Sequence, residues 1–302
     1  MSKPNRFPSK LAAAMFALGA MSSAHAYVFR IDSLSLANAV MREVNILTGD
    51  DRGGMAFANG AVCLSGDNST VRFTGSNLTN ATGLGKIYDG LFTTFSDGKA
   101  YTLANGGYTY GAGGFTRVAA LGDPLGSAIG LSQTLGAGLY NQGVMFSGYD
   151  AGFFWDAGTG NVERIDPLTG QVTEVGHVKL ALPASSESWA AWGIAEHFDG
   201  ADYLTYAAAG GIKRTRISDG QTEWVLQASL SDMASFTLDP SSNKWYFHYE
   251  GNSSSLNFGS DETLGYADAR ITLTRDAAVP EPASLLLVGA GLLGLGALRR
   301  RR

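Results

Sequence analysis

Outside the first 26 residues the chain has three histidines, His177, His197 and His248, spaced 20 and 51 residues apart. That is no zinc-ligand spacing. His197 follows Glu196, and His248 lies two residues before Glu250. A histidine and a carboxylate brought to one end of a channel by successive repeats could share a proton. On a strand edge the same neighbours are an ordinary solvated surface. Trp189 and Trp192, with Tyr203 and Tyr206, carry flat apolar faces of the kind that stack on sugar rings. Trp189 follows Ser185-Ser186-Glu187-Ser188, a loop pattern, whereas Trp224, Trp245 and Tyr246 fall in strand patterns and are expected inside the core. Trp189, Trp192, Glu196 and His197 are therefore the candidate ligand contacts.

Other patterns point to structure rather than reaction. The Gly-x-Ser-x-Gly elbow, the His-Glu-x-x-His pair and the phosphate loop do not occur. Ser96-x-x-Lys99 and Ser241-x-x-Lys244 match a nucleophile pattern that needs a helix to bring Ser and Lys together, yet both fall on turn sequences. No catalytic residue, metal site or cofactor is assigned. Asp50-Asp51, Asp67-Asn68 and Asp199-x-x-Asp202 are oxygen-rich turns open to a structural calcium, but none follows an EF-hand loop. The single cysteine, Cys63, sits in an apolar run and reads as a buried thiol without a disulfide partner.

The elements that must carry these residues are short strands. The chain has 40 glycines, and its apolar runs are broken every 8 to 12 residues by Gly, Asn or Asp. Five segments share one form, a small-residue strand, a turn and an aromatic strand, with turn residues at Asn59, Asp97, Asp150, Asp199 and Asp239. Outer hairpins follow two of them, with turns at Thr169-Gly170 and, 50 residues later, at Asp219-Gly220. Two hairpins per repeat make a four-stranded unit that cannot bury both faces alone and must be covered by its neighbours. Tyr27-Val28-Phe29-Arg30-Ile31 is a further strand that precedes the first repeat and can close the last one.

The expected fold is all-β. The body resembles the broad class of secreted bacterial β-propellers, which implies a single propeller of four-stranded blades, five or six in number, closed by the N-terminal strand. Residues 106–138 are glycine-rich and hard to divide into strands, and a β-sandwich or jelly roll is the alternative.

Both ends of the chain read as targeting segments. Residues 1–26 hold Lys3, Arg6 and Lys10, an apolar stretch and Ala24-His25-Ala26, a signal peptide cleaved between Ala26 and Tyr27 after passage through the Sec translocon and signal peptidase. The all-β body spans 27–275 and a linker spans 276–282, with Pro280-Glu281-Pro282 at its end. An uncharged run, 283–298, follows as a transmembrane helix of about 24 Å, with Arg299 to Arg302 as a basic cytoplasmic end. Motif, apolar helix and basic end in this order resemble the PEP-CTERM sorting signal. The resemblance implies an exosortase as partner, transient residence in the inner membrane and delivery to the envelope, cell surface or extracellular matrix. Seven of the 22 basic residues lie in residues 1–26 and 299–302 and one of the 27 acids is Glu281 of the motif, leaving residues 27–279 at −11. So acidic a surface argues against nucleic acid or anionic lipid as partner. The sequence points to a non-enzymatic structural or binding component, with exopolysaccharide as a partner. The alternative is a secreted glycan hydrolase or lyase.

Overall fold

The computed structural model describes residues 27–44, 54–65, 70–74, 78, 80–83, 90–104, 114–123, 127–136, 143–182, 193–228, 233–249 and 262–275. The proposed signal peptide, Trp189, Trp192, the Pro280-Glu281-Pro282 motif and the apolar run 283–298 lie outside these residues. Phe29–Leu273 form one compact unit. Among the described residues no helix is long and apolar enough to cross a membrane.

The chain begins with β1 (Tyr27–Leu34) and β2 (Val40–Val44), then runs through four antiparallel meanders. The first is β3 (Met55–Ala58), β4 (Ala61–Ser65), β5 (Thr70–Thr74) and β6 (Asn80–Gly83). The second is β7 (Gly90–Thr94), β8 (Lys99–Ala104), β9 (Phe115–Ala120) and β10 (Ile129–Leu135), so the glycine-rich stretch supplies two ordinary strands. The third is β11 (Gly143–Ser147), β12 (Gly152–Asp156), β13 (Asn161–Ile165) and β14 (Val172–His177). The fourth is β15 (Gly193–Phe198), β16 (Ala201–Ala208), β17 (Gly211–Arg216) and β18 (Thr222–Gln227).

A fifth group holds β19 (Met233–Asp239), β20 (Lys244–Tyr249) and the long β21 (Glu262–Arg275). Its outer place is filled from the other end of the chain. β2 pairs antiparallel with the start of β21, Val40 opposite Tyr266 and Val44 opposite Glu262. β1 hydrogen-bonds β21 as well. Beyond the end of β1, the Ser35 N–H donates to the Asp268 carbonyl at 3.0 Å.

The turns follow from residue type. Asn59-Gly60 closes β3–β4 with φ of 52° and 72°, and Asp199-Gly200 closes β15–β16 with φ of 51° and 70°. Positive φ at both central residues is the type I′ requirement, tolerated by Asn, Asp and Gly. The two outer turns are copies of one another. Asp166 N–H donates to the Gln171 carbonyl and Gly170 N–H to Asp166, just as Arg216 donates to Gln221 and Gly220 to Arg216.

The first strands of the five groups meet in a cycle. β3 lies against β7, β7 against β11, β11 against β15, β15 against β19, and β19 against β3. β11 and β15 run parallel, Phe146 beside Gly193. Hydroxyls stitch these strands where a full ladder does not form. Thr93 Oγ1 accepts the Phe57 N–H (3.0 Å) and donates to the Phe57 carbonyl (3.1 Å), and Ser147 Oγ accepts the Thr93 N–H (2.9 Å). Apolar clusters fill the seams between consecutive groups. One joins the second group to the third through Phe92, Leu103, Met145 and Phe154. Another joins the third to the fourth through Phe146, Trp155, Leu204 and Tyr206. Met55 and Leu64 meet Leu264 between the first group and the fifth. In β1 the alternation holds to its start: Phe29 and Ile31 are 0 % exposed.

Candidate functional site

β15 alternates along Gly193-Ile194-Ala195-Glu196-His197-Phe198, so Glu196 and His197 point to opposite faces of the sheet. They do not build one site. Glu196 is 2 % exposed and turned inward. Its carboxylate accepts the Ile31 N–H at 2.5 Å, the Arg214 Nη1–H at 3.0 Å and the Thr205 hydroxyl. Arg214 Nη1 also donates to the Ile31 carbonyl (3.2 Å), while its Nε and Nη2 hold Glu223 at 2.9 and 2.7 Å. Both backbone polar groups of Ile31 are thus met by the side chains of an ion pair from the fourth group, in place of a neighbouring strand. The Arg214 guanidinium lies 4.7 Å above the Phe198 ring, which stacks on Tyr203 at 4.2 Å. Burial pushes the Glu196 carboxyl above its ordinary range, opposed by the Arg214 charge and the Thr205 and Ile31 hydrogen bonds. Glu196, expected as a ligand contact, instead anchors the N-terminal strand. The pattern gave no sign of Arg214, because Lys213-Arg214 in an alternating strand reads as surface.

His197 is mostly buried, its side chain 14 % exposed, with Nδ1 2.7 Å from Asp202 Oδ1 on the paired strand. His248 is 1 % exposed, opposite Ser235 inside the fifth group. The two Ser-x-x-Lys matches are turns. Ser241 Oγ donates to Asp239 (2.5 Å), and Lys244 reaches Asp268 at 3.4 Å. Asp97 accepts from Thr94 (2.5 Å), the Lys99 N–H (2.9 Å) and Tyr101 (2.7 Å). Burial and the bond to Asp97 push the Tyr101 phenol up to about 12. Among the described residues no three His, Cys, Asp or Glu come together as a metal site.

The aromatics divide. Trp245 is 0 % exposed, as expected of a core strand, whereas Trp224, also expected inside, is 40 % exposed with Lys213 Nζ 4.5 Å from its ring. The reason is strand order. β18 pairs only with β17, so it is the edge strand of its group with no strand hydrogen-bonded along its outer side, and Trp224 stands at that rim.

Among the described residues, Glu163 is a second carboxyl pushed toward neutrality. Burial first, then the charges of Asp156 and Glu174, push it from 4.5 up to about 7. The folded state therefore holds this proton more tightly than the unfolded chain. The stability it contributes is full below about pH 4.5 and is lost as pH rises through about 7. With solvent screening of a half-buried group, the loss is on the order of 1–3 kcal/mol. Thermal melts of the body should fall by about 3–8 °C between pH 5 and pH 8. Glu163→Gln should flatten that slope and melt higher at pH 8. An unchanged slope in the variant would rule out Glu163 as its source.

Comparison with known proteins adds a sorting signal and structural likenesses. Residues 278–302 match the PEP-CTERM protein-sorting motif. No curated protein is similar to the chain. Among solved structures it is similar to Myxococcus xanthus glutaminyl cyclase, with 17 % identity over 78 % of this chain and 97 % of that one, at a TM-score of 0.42. It is also similar to a GH43_1 enzyme from Xanthomonas citri complexed with xylose, with 15 % identity over 81 % and 97 % of the two chains, at a TM-score of 0.41. A third likeness is a Bacteroides thetaiotaomicron protein of unknown function, with 15 % identity over 74 % of this chain, at a TM-score of 0.39. The chain spans 58 % of that protein's length. The motif is the kind recognised by exosortases, and it follows an all-β body whose last strand ends at Arg275. The chain is an exported all-β protein carrying a C-terminal PEP-CTERM protein-sorting signal.

Proposed function

We propose that residues 27–275 form a five-bladed β-propeller displayed at the cell envelope or in the extracellular matrix, as a structural or binding component in contact with exopolysaccharide and without an enzymatic role. The observation that carries the fold is the closed cycle of first strands, β3, β7, β11, β15 and β19, with β1 and β2 completing the fifth four-stranded unit. A ring of this kind leaves no open inner edge and needs no disulfide, which suits a chain with one cysteine outside the cell. The sorting motif supports the destination, and the net charge of −11 on residues 27–279 supports solubility in a hydrated matrix. The tail acts as a temporary anchor: the apolar run 283–298 holds the protein in the inner membrane until exosortase processes it near Pro280-Glu281-Pro282.

The test uses the native host and a strain lacking its exosortase. Intact mass of the outermost fraction should give a chain that starts at Tyr27 and lacks Arg299 to Arg302. The exosortase-deficient strain should hold the chain in the inner membrane with the arginines attached. Arginine-bearing protein in the outermost fraction would refute the sorting reading. The mature protein should sediment with the host's matrix polysaccharide without releasing new reducing ends. Release of reducing ends would instead support a glycan hydrolase or lyase.

A further inference from the structure

The seam between the first and second groups is built differently from the others. Elsewhere Phe, Tyr, Trp and Met fill the space. Here the buried cluster is Ala56, Ala58, Cys63, Leu91 and Ala100. Small side chains on both sides leave room, and a cavity of about 380 Å³ opens at the turn end of this seam. Ala58, Ala100 and Cys63 lie along it, all buried, and its lining also includes Asn59, Lys99 and Asp123, all exposed, with residues 120–122 beside them.

Two features make this more than a packing fault. First, it sits on fixed backbone. Asn59 occupies the type I′ turn, Lys99 N–H is tied to Asp97, and Asp123 N–H closes a turn onto the Ala120 carbonyl at 3.1 Å. Second, Lys99 and Asp123 line the same cavity with opposite charges, yet among the described residues neither makes an ion pair with the other or with anything else. Other exposed charges, Arg117 and Lys179 among them, also make no ion pair among the described residues, so what marks Lys99 and Asp123 is the cavity they share. A cavity with one cation, one anion and an apolar floor complements a ligand that carries both charges around a small apolar body.

We infer that this cavity binds a small zwitterion with an apolar side chain, an α-amino acid or dipeptide. Its carboxylate would meet Lys99, its ammonium Asp123, and its side chain the Ala58–Ala100–Cys63 floor. The volume is at the lower end of the roughly 300–1,000 Å³ typical of small-molecule sites, matching a dipeptide better than an oligosaccharide. The inference stands apart from the proposed matrix role, since it concerns a site in the seam and holds whatever the protein's destination.

The experiment titrates the mature protein with alanine, leucine and alanyl-alanine by calorimetry. N-acetylalanine, alaninamide, glucose and glucuronate serve as controls. Cys63, the one cysteine, reports the location through its rate of alkylation by iodoacetamide. At least one free zwitterion should bind at millimolar concentration or tighter and slow Cys63 alkylation several-fold at saturation. Blocking either end of the ligand should weaken binding about tenfold or more, as should Lys99→Met or Asp123→Asn. Both positions are exposed, so the variants should melt within a few degrees of the parent. Ala100→Phe fills the floor and should abolish binding. The inference is overturned by the absence of binding at 10 mM, by equal binding of blocked ligands or sugars, by unchanged Cys63 alkylation at saturation, or by binding that survives both charge variants.

Discussion

Arg214→Ala is expected to destabilise the protein by about 3–5 kcal/mol, because it leaves the Glu196 carboxyl buried without its counter-charge. Glu196 is 0 % exposed at its side chain and would keep only Thr205 and the Ile31 N–H as partners. The Ile31 carbonyl would lose its donor too. A pH signature separates this from simple loss of packing. In the variant Glu196 can remain buried only by holding a proton. Its folded-state pKa, already raised, rises further, so the deficit should be smallest in acid and widen as pH increases. The double replacement Glu196→Leu with Arg214→Met should recover much of the loss, since a buried ion pair is often replaceable by apolar groups of similar size. A deficit that does not vary with pH would show that the ion pair does not hold β1.

Removal of β1 should do more damage still. A chain that begins at Ser35 loses Phe29, packed 5.1 Å from Phe95 and 6.3 Å from Tyr149, and loses Ile31. It also loses the Asp32–Thr272 bond and leaves Glu196 and Arg214 without the backbone they hold. Deleting one buried Phe costs on the order of 3–5 kcal/mol, and total stability is about 5–15 kcal/mol. The truncated protein should aggregate, or melt more than about 10 °C below the parent. A melt within one or two degrees of the parent would mean that the N-terminal strand closes nothing, and a sandwich would be the better description of the fold.

What the sequence disclosed and what it hid follow one rule. Features set within a few residues were legible. Asn59-Gly60 and Asp199-Gly200 announce turns because few other residues accept positive φ at both positions, and Phe29 and Ile31 announce a buried face by alternation. Features set by distant strands were not. Trp224 and Trp245 lie in strands of similar pattern, and only strand order makes β18 an edge and β20 an interior strand. Glu196 beside His197 looks like a charged surface until Arg214 and Ile31 are brought against it. Strands β9 and β10 were hidden among glycines, because their identity depends on pairing with β8 rather than on their own propensity. Lys99 and Asp123 lie on two turns of one group, and neither turn alone announces that a cavity separates them.

The long β21 has a consequence in time. Its partners β1 and β2 are the earliest strands of the chain, and the Asp32–Thr272 bond closes a loop of 240 residues. A chain delivered across a membrane N-terminus first has β1 and β2 outside while residues 262–275 are still inside. The first four meanders can assemble as they emerge, each from local hairpins, but the fifth must wait for β21. The last strand to arrive is followed almost at once by the sorting motif at 278–302. In the order of delivery, the strand that completes the fifth group and the sorting motif therefore follow one another within a few residues. A sorting enzyme acting on that tail can meet it only after the last strand the fifth group needs has been delivered.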